Sequence, residues 1–568
     1  MASSYAVCRL HMGGRGSLGK CLQRLDTCLH RSIGTNVVAA QADSTRRDDS
    51  DEKDGPKSLY VVQAERQEQA ERSVLISCPS KTNEKKFLKH LSTHGDIKKH
   101  FFYESYGMYA VVEFSSQESV ASLLEGATIP IDSHESLVPF KSRLLSLRNL
   151  GSVGSSNQQP EQQRNPQTTP PINELIQRLS REESIDHQIT HLTESYQLTE
   201  ENSRLRFLVC SLLKDITAAY FPECTIKPFG SSVNGFGKLG CDLDMFLDLD
   251  GISGRNLPKS GLSLEYQMKR ANSERAVTQS ILSVIGECVD RFGPGCVGVQ
   301  KILNARCPLV RFAHQPSGFQ CDLTANNRVA MKSTELLYLY GELDPRVRCL
   351  VFTIRCWART HGLTSSIPGA WITNFSLTVM VLFFLQRRSP PIIPTLDQLR
   401  ELAGPADKSM IEGNDCTFVS DFSKIPLHSN TATLEQLLCE FFDFYATFAF
   451  SKMSINIRKG KEQNKPEVTP LHIQNPFETS LNVSKNVNSS QLDRFVALCQ
   501  ESSWILQQSE NNTPRRHSGG NTPAPWGLVQ LLMPLQVAGV KSRKKKRREA
   551  ASERIKSLLE SLKNKNQQ

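Results

Sequence analysis

The sequence predicts an α+β fold in three successive parts: a small unit of alternating strands and helices, a part built on a mixed sheet, and a mostly helical part. Three observations carry this prediction. Residues 73–147 read strand, helix, strand, strand, helix, strand; strand-like runs follow a long helix between residues 267 and 324; and apolar residues recur at helical spacing over 335–385. A chain of 568 residues is too long for one hydrophobic core, which agrees with several domains.

Composition points to a polyanionic partner without fixing a fold. The chain is 39% apolar and 22% charged, with a net charge of +10 and a pI near 8.8. Much of the positive surplus forms one block near the C-terminus: Lys541, Arg543, Lys544, Lys545, Lys546, Arg547 and Arg548. This block is compatible with a solvated tail or a nuclear-targeting sequence, and equally with an arm that holds RNA.

Cysteine usage indicates a reducing compartment. None of the 16 cysteines forms a C-x-x-C pair, and most stand singly in apolar runs, so neither a zinc site nor a disulfide framework is expected. The longest apolar run, Phe375 to Leu385, is too short to cross a bilayer and predicts a buried helix, so no membrane span is expected.

The N-terminal residues are typical of a mitochondrial presequence. Residues 1–25 contain Arg9, Arg15, Lys20 and Arg24 and no acidic residue, and no apolar block of the signal-peptide type is present. The alternative is a disordered tail that is basic by chance. We therefore assign residues 1–40 to a presequence, which predicts a mitochondrial location, and the polar residues 41–72 to a linker.

The unit over residues 73–147 has the βαββαβ order of ferredoxin-like domains, which RNA-recognition motifs share. Its predicted elements are strands Val74–Ile76, Ile97–Tyr103, Tyr109–Phe114 and Leu137–Lys141 and helices Glu84–Leu91 and Gln117–Leu124. The third strand resembles the RNA-recognition octamer, but Val111 replaces a stacking aromatic and the leading basic residue is missing. Since each stacked base contributes about 1–3 kcal/mol, this loss should weaken RNA binding. The sheet face is instead expected to contact protein, and a homodimer through this unit is one such contact.

The main body follows a linker at residues 148–171 that is rich in Gln, Ser and Pro. Helical periodicity over Glu201–Tyr220 and Gln267–Phe292 frames an acidic strand, and three strand-like runs come next: Val297–Leu303, Leu309–Phe312 and Phe319–Thr324. The predicted boundaries are 172–345 for the sheet-bearing domain, which helices from the C-terminal part can join, 346–506 for the helical domain, and 507–568 for a polar linker and basic tail.

A glycine-serine turn before two carboxylates marks the candidate site. Phe229, Gly230 and Ser231 precede Asp242 and Asp244 by about ten residues. On a strand, residues i and i+2 point to one face with Cα atoms roughly 7 Å apart. Two like charges roughly 4 Å apart repel by about 4 kcal/mol at an effective dielectric constant near 20. A divalent cation would neutralise them, and oxygen-only ligands favour Mg²⁺ or Mn²⁺.

A third carboxylate, Asp322, lies inside an apolar strand-like run, where burying it unpaired is costly. Three such side chains can hold two divalent ions about 3.5–4 Å apart. One ion would activate the 3′-hydroxyl of an RNA end and the other would hold a triphosphate, and this transfer needs no protein nucleophile. An isolated D-x-D pair is weak evidence: Asp248 and Asp250 form another, which we expect to be solvated on a turn.

These motifs resemble those of the DNA polymerase-beta-like nucleotidyltransferases, in the branch of non-conventional poly(A) polymerases and terminal uridylyltransferases. The resemblance covers about residues 73–506 and implies a nucleotidyltransferase palm followed by a helical poly(A) polymerase-associated domain. It assigns catalysis and metal binding to Asp242, Asp244 and Asp322. It assigns ATP binding to the turn, and to two residues that line the nucleotide pocket just before the first aspartate, Gly240 and Cys241. With the presequence, it implies template-independent transfer of AMP from ATP to the 3′ ends of mitochondrial RNA, with release of diphosphate.

Further nucleotide contacts follow from the family motifs, with departures. Ser333 stands at a ribose-contacting position where the family usually has asparagine. The lysines of a family helix motif become Arg355 and Arg359, which keep the charge as planar forks. The serine-tyrosine pair, whose tyrosine stacks on the base, becomes Asn374 and Phe375, which retains an aromatic face.

Base preference rests on the stretch 473–483, which resembles the family's nucleotide-recognition loop. Leu481 stands where uridylyl-specific relatives often carry histidine, and this favours ATP. Two alternatives stay open, a terminal uridylyltransferase and a catalytically silent RNA-binding scaffold. A scaffold would not need all three carboxylates.

Two other groups of residues are assigned to the scaffold. His314 and His361 are expected to be satisfied histidines of the scaffold or the surface. Aromatic residues between positions 441 and 450 are expected to pack as core between the helical half and the sheet.

Overall fold

The computed structural model describes residues 55–80, 82–126, 142–147, 167–218, 221–222, 224–248, 273–325, 327–365, 367, 369–510 and 525–533. The predicted presequence, most of the second linker and the basic block near the C-terminus lie outside the described residues. No helix within the described ranges is long and apolar enough to cross a membrane.

The N-terminal domain is a four-stranded sheet in the order β2-β3-β1-β4, with helices beside it. Its elements are α1 (Leu59–Glu71), β1 (Ser73–Cys78), α2 (Glu84–Leu91), β2 (Ile97–Glu104), β3 (Met108–Phe114), α3 (Gln117–Gly126) and β4 (Leu144–Ser146). The linker prediction was wrong for α1. This helix is polar along most of its length and is held by ion pairs from Arg66 to Glu200 and from Lys214 to Glu71.

The last strand of this domain departs from the ferredoxin-like plan. The predicted strand Leu137–Lys141 lies outside the described residues, and β4 pairs parallel with β1, whereas a regular βαββαβ unit would bring it antiparallel. Arg143 fixes β4 in this position. Its guanidinium donates to the carbonyl oxygen of Ala70 at 2.6 Å, to Ser211 Oγ at 2.6 Å and to Asp215 Oδ2 at 2.8 Å.

One face of this sheet packs against the next domain of the same chain. Leu75, Tyr103 and Val111 share a core with the central sheet, and Tyr103 Oη donates to the carbonyl oxygen of Pro316 at 2.7 Å. Although Val111 replaces one stacking aromatic, Phe101, Tyr103 and Tyr109 supply aromatic rings to this face. The face therefore contacts protein as predicted, but within one chain, and a homodimer would need another surface of the domain.

The central domain carries a five-stranded mixed sheet in the order β5-β6-β9-β8-β7. Its strands are β5 (Thr225–Pro228), β6 (Leu243–Asp248), β7 (Cys296–Ile302), β8 (Leu309–His314) and β9 (Phe319–Ala325). Only the β6–β9 pair is parallel among its described pairings. Two helices that pack with this sheet are α6 (Glu200–Thr217) and α7 (Glu274–Phe292). The predicted apolar face of α6 is buried: Leu205, Leu208, Leu212 and Ile216.

The helical domain forms a second large core. Its helices are α4 (Ile172–Leu179), α5 (Ile185–Tyr196), α8 (Arg328–Leu343), α9 (Pro345–Thr360), α10 (Asn374–Gln386), α11 (Leu396–Glu401), α12 (Leu434–Thr447), α13 (Ser489–Glu510) and α14 (Leu528–Leu531). Helix α10 is buried at every residue from Ser376 to Gln386, as its apolar run predicts. Helices α4 and α5 precede the sheet in the chain but pack into this core, so the boundary predicted at residue 172 does not separate the packing units.

The residues assigned to the scaffold pack as expected, with two corrections. Phe441, Phe442 and Tyr445 are buried, but they lie within the helical core rather than between it and the sheet. His361 Nε2 donates to the carbonyl oxygen of Leu531 at 2.9 Å, as expected. His314 is only half satisfied: Nδ1 lies 2.8 Å from Ser317 Oγ, but the buried Nε2 has no hydrogen-bond partner among the described residues. All the cysteines that the structure describes are free.

Candidate active site

The glycine-serine turn is a short 3₁₀ turn, Gly230–Ser232, directly after β5. Gly230 has a φ of 61°, and a Cβ added there would lie 3.2 Å from Asp244 Oδ2. Phe229 N donates to the carbonyl oxygen of Asp244 at 3.0 Å, and Gly230 N donates to Thr334 Oγ1 at 3.0 Å. The turn is thus fixed to β6 on one side and to α8 on the other, and it requires glycine at this position.

A buried arginine on α6 joins the turn to the acidic strand. Arg206 has no exposed surface. Its Nη1 donates to Ser232 Oγ and to the carbonyl oxygen of Asp242, both at 2.9 Å, and its Nη2 donates to the carbonyl oxygen of Cys241 at 2.8 Å. Sequence reasoning missed Arg206. An arginine on the apolar face of a helix was the available signal, because a buried cation requires acceptors nearby.

The three predicted carboxylates lie at neighbouring positions of the sheet. Asp244 on β6 is the direct Cα partner of Asp322 on β9, and Asp242 immediately precedes β6. Burial, followed by the charges of Asp322 and Asp242, raises the pKa of Asp244 to about 7. Burial, followed by the charge of Asp322, also raises the pKa of Asp242. The site therefore concentrates negative charge.

Arg311 on β8 is a second residue that sequence reasoning missed. It is the Cα partner of Asp322, and its Nε and Nη2 donate to Asp322 Oδ1 at 2.8 Å and Oδ2 at 2.7 Å. Within the described ranges, no three His, Cys, Asp or Glu side chains are arranged as ligands of one metal ion. Both oxygens of Asp322 accept hydrogen bonds from Arg311, so this carboxylate is already paired in the structure.

A cavity of about 1200 Å³ opens beside the turn, between the sheet and the helical domain. Nine of the predicted nucleotide contacts line it: Phe229, Gly230, Ser231, Cys241, Ser333, Arg355, Arg359, Asn374 and Phe375. Gly240, which has a φ of 80° and is exposed, does not line it. The three carboxylates are not part of the lining either, although Asp242 directly follows Cys241.

The two arginines predicted to contact nucleotide differ in their surroundings. Arg355 Nη1 donates to the carbonyl oxygen of Phe236 at 2.7 Å, Nη2 to Thr378 Oγ1 at 2.5 Å and Nε to the carbonyl oxygen of Asn374 at 3.3 Å. Burial lowers the pKa of Arg355 to about 10. Arg359 is exposed on the cavity side, and no acidic partner pairs with it among the described residues.

The loop predicted to recognise the nucleotide reaches the cavity through residues that the sequence did not single out. Asn475 and Glu478 line the cavity, whereas Leu481 does not and instead accepts a main-chain hydrogen bond from Asn475 at 2.9 Å. Glu478 Oε1 accepts from Arg306 Nη2 at 2.8 Å. This ion pair joins the helical domain to the turn between β7 and β8. Other lining residues that sequence reasoning missed are Asn234, Lys238, Arg275 and Thr334.

Three family models match the chain. One, described as "Poly(A) RNA polymerase, mitochondrial-like, central palm domain", covers residues 185–342; an RL domain covers 58–128; and one described as "Cid1 family poly A polymerase" covers 433–482. The RL domain overlaps the predicted RNA-recognition-like unit over residues 73–128 and begins earlier, so that it includes α1.

Similar proteins cover nearly the whole chain. The chain is 56% identical to a mitochondrial poly(A) RNA polymerase of Mus musculus, over 97% of this chain and 94% of the relative. It is 60% identical to that of Homo sapiens, over 88% and 85%. Crystal structures of mtPAP are similar as well: the complex with ATPγS at 56% identity and a TM-score of 0.76, and the complex with UTP at 56% and 0.77. Each covers 84% of this chain and 100% of the solved one.

Proposed function

Because the chain belongs to the family of the mitochondrial poly(A) RNA polymerases, we propose that Asp242, Asp244 and Asp322 carry out the family reaction here. The protein is a polynucleotide adenylyltransferase of the mitochondrion. It adds AMP from ATP to RNA 3′ ends without a template and releases diphosphate. The observation that carries the residue assignment is the pairing of Asp244 with Asp322 next to a glycine-serine turn at the edge of a nucleotide-sized cavity.

The carboxylates fit divalent cations, and we propose two ions of Mg²⁺ or Mn²⁺ in the active complex. The donor set consists of carboxylate oxygens, which hard cations prefer. Burial, followed by the charges of neighbouring carboxylates, raises the pKa of Asp242 and Asp244, and a bound cation would offset both effects. When bound, the ions supply that charge to the RNA hydroxyl and to the triphosphate. The Arg311 side chain is half exposed, so solvent screens and weakens its ion pair with Asp322. A metal ion can then replace Arg311 as the partner of this carboxylate.

The chain's own residues position the substrates. Gly230 keeps a side chain away from Asp244 and lets the main chain approach phosphate, while Ser231 presents a hydroxyl that donates to Cys241 Sγ at 3.4 Å in this structure. The Gly230 N–H itself is taken by Thr334 and is not offered to a ligand. Phe375 lines the cavity and supplies the ring face on which a base can stack.

Selection of ATP is proposed to lie with Asn475 and Glu478, the loop residues that line the cavity. Leu481 does not line the cavity. We therefore propose that the residue at this position influences base selection through the conformation of the loop and not by contacting the nucleotide. Structures of mtPAP hold ATPγS, UTP, GTP and CTP, and a similar cavity here is proposed to admit each base. Discrimination then arises in the transfer step, where interactions made in the transition state count.

The residue assignment is tested by extending a labelled oligoribonucleotide with each nucleotide separately, with Mg²⁺, with Mn²⁺ and with EDTA. Asp242→Ala should abolish extension while the melting temperature stays within a few degrees of the wild type. Asp248→Ala is the matched control, because it removes a carboxylate from the same strand outside the proposed site. Extension by Asp242→Ala would remove the metal-site assignment. No extension by the wild type with any nucleotide would favour the scaffold alternative.

A homodimer through the N-terminal domain remains our proposal. The sheet face that suggested it is occupied by the palm, so the contact would use the helices or the β2 edge of the domain. Light scattering of the full chain should give twice the mass of 63.6 kDa. A single-chain mass at micromolar concentration would contradict the proposal.

A further inference from the structure

We propose that Lys238, together with Arg359, holds the triphosphate of the incoming nucleotide, whereas Arg355 supports the walls of the pocket. This inference rests on the proposed function and assigns a nucleotide-positioning role to a lysine that no family motif singled out. It concerns the segment that connects the glycine-serine turn with the first aspartate.

The main chain around Lys238 is fixed on both sides. Lys238 forms an antiparallel bridge with Gln197, next to a hydrogen bond from Leu239 N to the carbonyl oxygen of Tyr196 at 2.9 Å. The carbonyl oxygen of Lys238 accepts from Cys241 N at 2.9 Å. The residue thus sits in a defined position three residues before the cysteine that contacts the glycine-serine turn.

The Lys238 side chain contacts an aromatic ring and lines the cavity. Nζ lies 4.5 Å from the centroid of the Tyr196 ring, and the side chain lines the cavity together with Ser231 and Cys241. Within the part of the chain that the structure describes, no carboxylate pairs with Lys238. Burial, followed by the nearby charge of Arg359, lowers the pKa of Lys238. A desolvated ammonium beside a second cation is unfavourable in the empty pocket, and a polyphosphate would relieve it.

Arg355, in contrast, is already engaged. Its three nitrogen donors bond Phe236, Thr378 and Asn374, which belong to the loop before Lys238 and to α10. If the Arg355 guanidinium moved to bind a phosphate, these three acceptors would lose their hydrogen bonds inside the protein, which is costly. One turn further along α9, Arg359 has no such partners in the described structure and faces the cavity. Two other arginines line the cavity, but Arg306 pairs with Glu478, and Arg275 donates to main-chain carbonyl oxygens of residues 304–306. Among the described basic residues of the lining, Lys238 and Arg359 are therefore the cations left to bind a phosphate.

The test is a set of binding titrations with the full chain in the presence of Mg²⁺. Lys238→Gln should raise the Kd for ATP about tenfold, in line with loss of one charge-assisted contact. Because phosphates are common to all nucleotides, the factor should be the same for GTP, CTP and UTP. The Kd for inorganic pyrophosphate should rise similarly and that for adenosine should not. In steady-state extension, KM for ATP should rise more than kcat falls, and Lys238→Arg should restore binding in part.

Matched variants separate a phosphate contact from a structural role. Lys332 also stacks on an aromatic ring, 5.1 Å from the Phe418 centroid, but pairs with Glu335 and does not line the cavity. Lys332→Gln should leave every Kd unchanged. Arg355→Gln should lower the melting temperature, which Lys238→Gln should leave within a few degrees of the wild type.

The outcomes distinguish this inference from the proposed function. A wild-type protein that binds no nucleotide would contradict both. A wild type that binds normally, with Lys238→Gln binding ATP equally well, would overturn only the role of Lys238. If Lys238→Gln changed the Kd by different factors for the four nucleotides, Lys238 would contact the base and not the phosphates, and the assignment would also be overturned.

Discussion

Replacing Asp244 by asparagine should inactivate the protein and stabilise its metal-free form. The pKa of this carboxyl rises from 3.8 to about 7 in the folded chain. Each pKa unit corresponds to about 1.36 kcal/mol, so keeping Asp244 ionised costs the folded state at most about 4 kcal/mol above pH 7. Asparagine has nearly the same shape and carries no charge. We expect the free energy of unfolding to increase by about 2–4 kcal/mol at pH 8.

The stability difference between Asp244→Asn and the wild type should depend on pH. Between pH 3.8 and 7 the folded chain binds a proton at Asp244 more tightly than the unfolded chain does. The Asp244 carboxyl therefore contributes a loss of stability as pH rises through this window, and the asparagine of the variant does not. The gain of Asp244→Asn should be full at pH 8 and small near pH 4.

Urea titrations in EDTA at pH 8 and pH 5, followed by tryptophan fluorescence, measure this difference. Primer extension is assayed in parallel, and Asp248→Asn is the control. Added Mg²⁺ should raise the stability of the wild type and leave that of Asp244→Asn unchanged. A variant less stable than the wild type at pH 8, or equally stabilised at both pH values, would refute the reasoning.

Four further outcomes are expected. Gly230→Ala should lose ATP binding, measured by titration, and about 1–2 kcal/mol of stability, measured by denaturation. The reason is that φ is 61° at this position and the new Cβ would lie 3.2 Å from Asp244 Oδ2. Arg311→Gln should bind Mn²⁺ more tightly in calorimetry, because Asp322 loses its bidentate partner. Burial lowers the pKa of His314 to about 4, so this residue contributes a loss of about 3 kcal/mol as pH falls from 6.5 to 4. Melting curves of His314→Gln, compared with the wild type at each pH, should lack this contribution. Purified protein should incorporate ATP faster than UTP; the reverse order would overturn the base preference.

The site was predictable where its signals are local. The i, i+2 spacing of Asp242 and Asp244 and the glycine at a tight turn follow from strand geometry and from steric freedom. The pairing of Asp244 with Asp322 depends on tertiary structure, because the sequence of a strand does not determine which strand lies parallel beside it. The bidentate role of Arg311 was hidden for the same reason, since an arginine in a strand usually faces solvent.

The fold shows the same division. Helix α10 was recognised because an unbroken apolar run already implies burial, whatever surrounds it. Helix α1 was taken for a linker because ion pairs to α6, rather than an apolar stripe, hold most of its length. The orientation of β4 depends on where Arg143 finds acceptors, and these lie in α1, β1 and α6.

The sheet face with which RNA-recognition motifs bind bases here forms the contact between the N-terminal and central domains. Leu75, Tyr103 and Val111 are at most 3% exposed, buried against the palm. Cutting the N-terminal domain away would therefore strip apolar surface from the catalytic domain, and the remaining fragment would tend to aggregate. Lost activity in such a truncation would report a damaged enzyme and not a missing RNA-binding module. Point substitutions on the solvent side of the domain are the way to ask what it contributes to RNA choice.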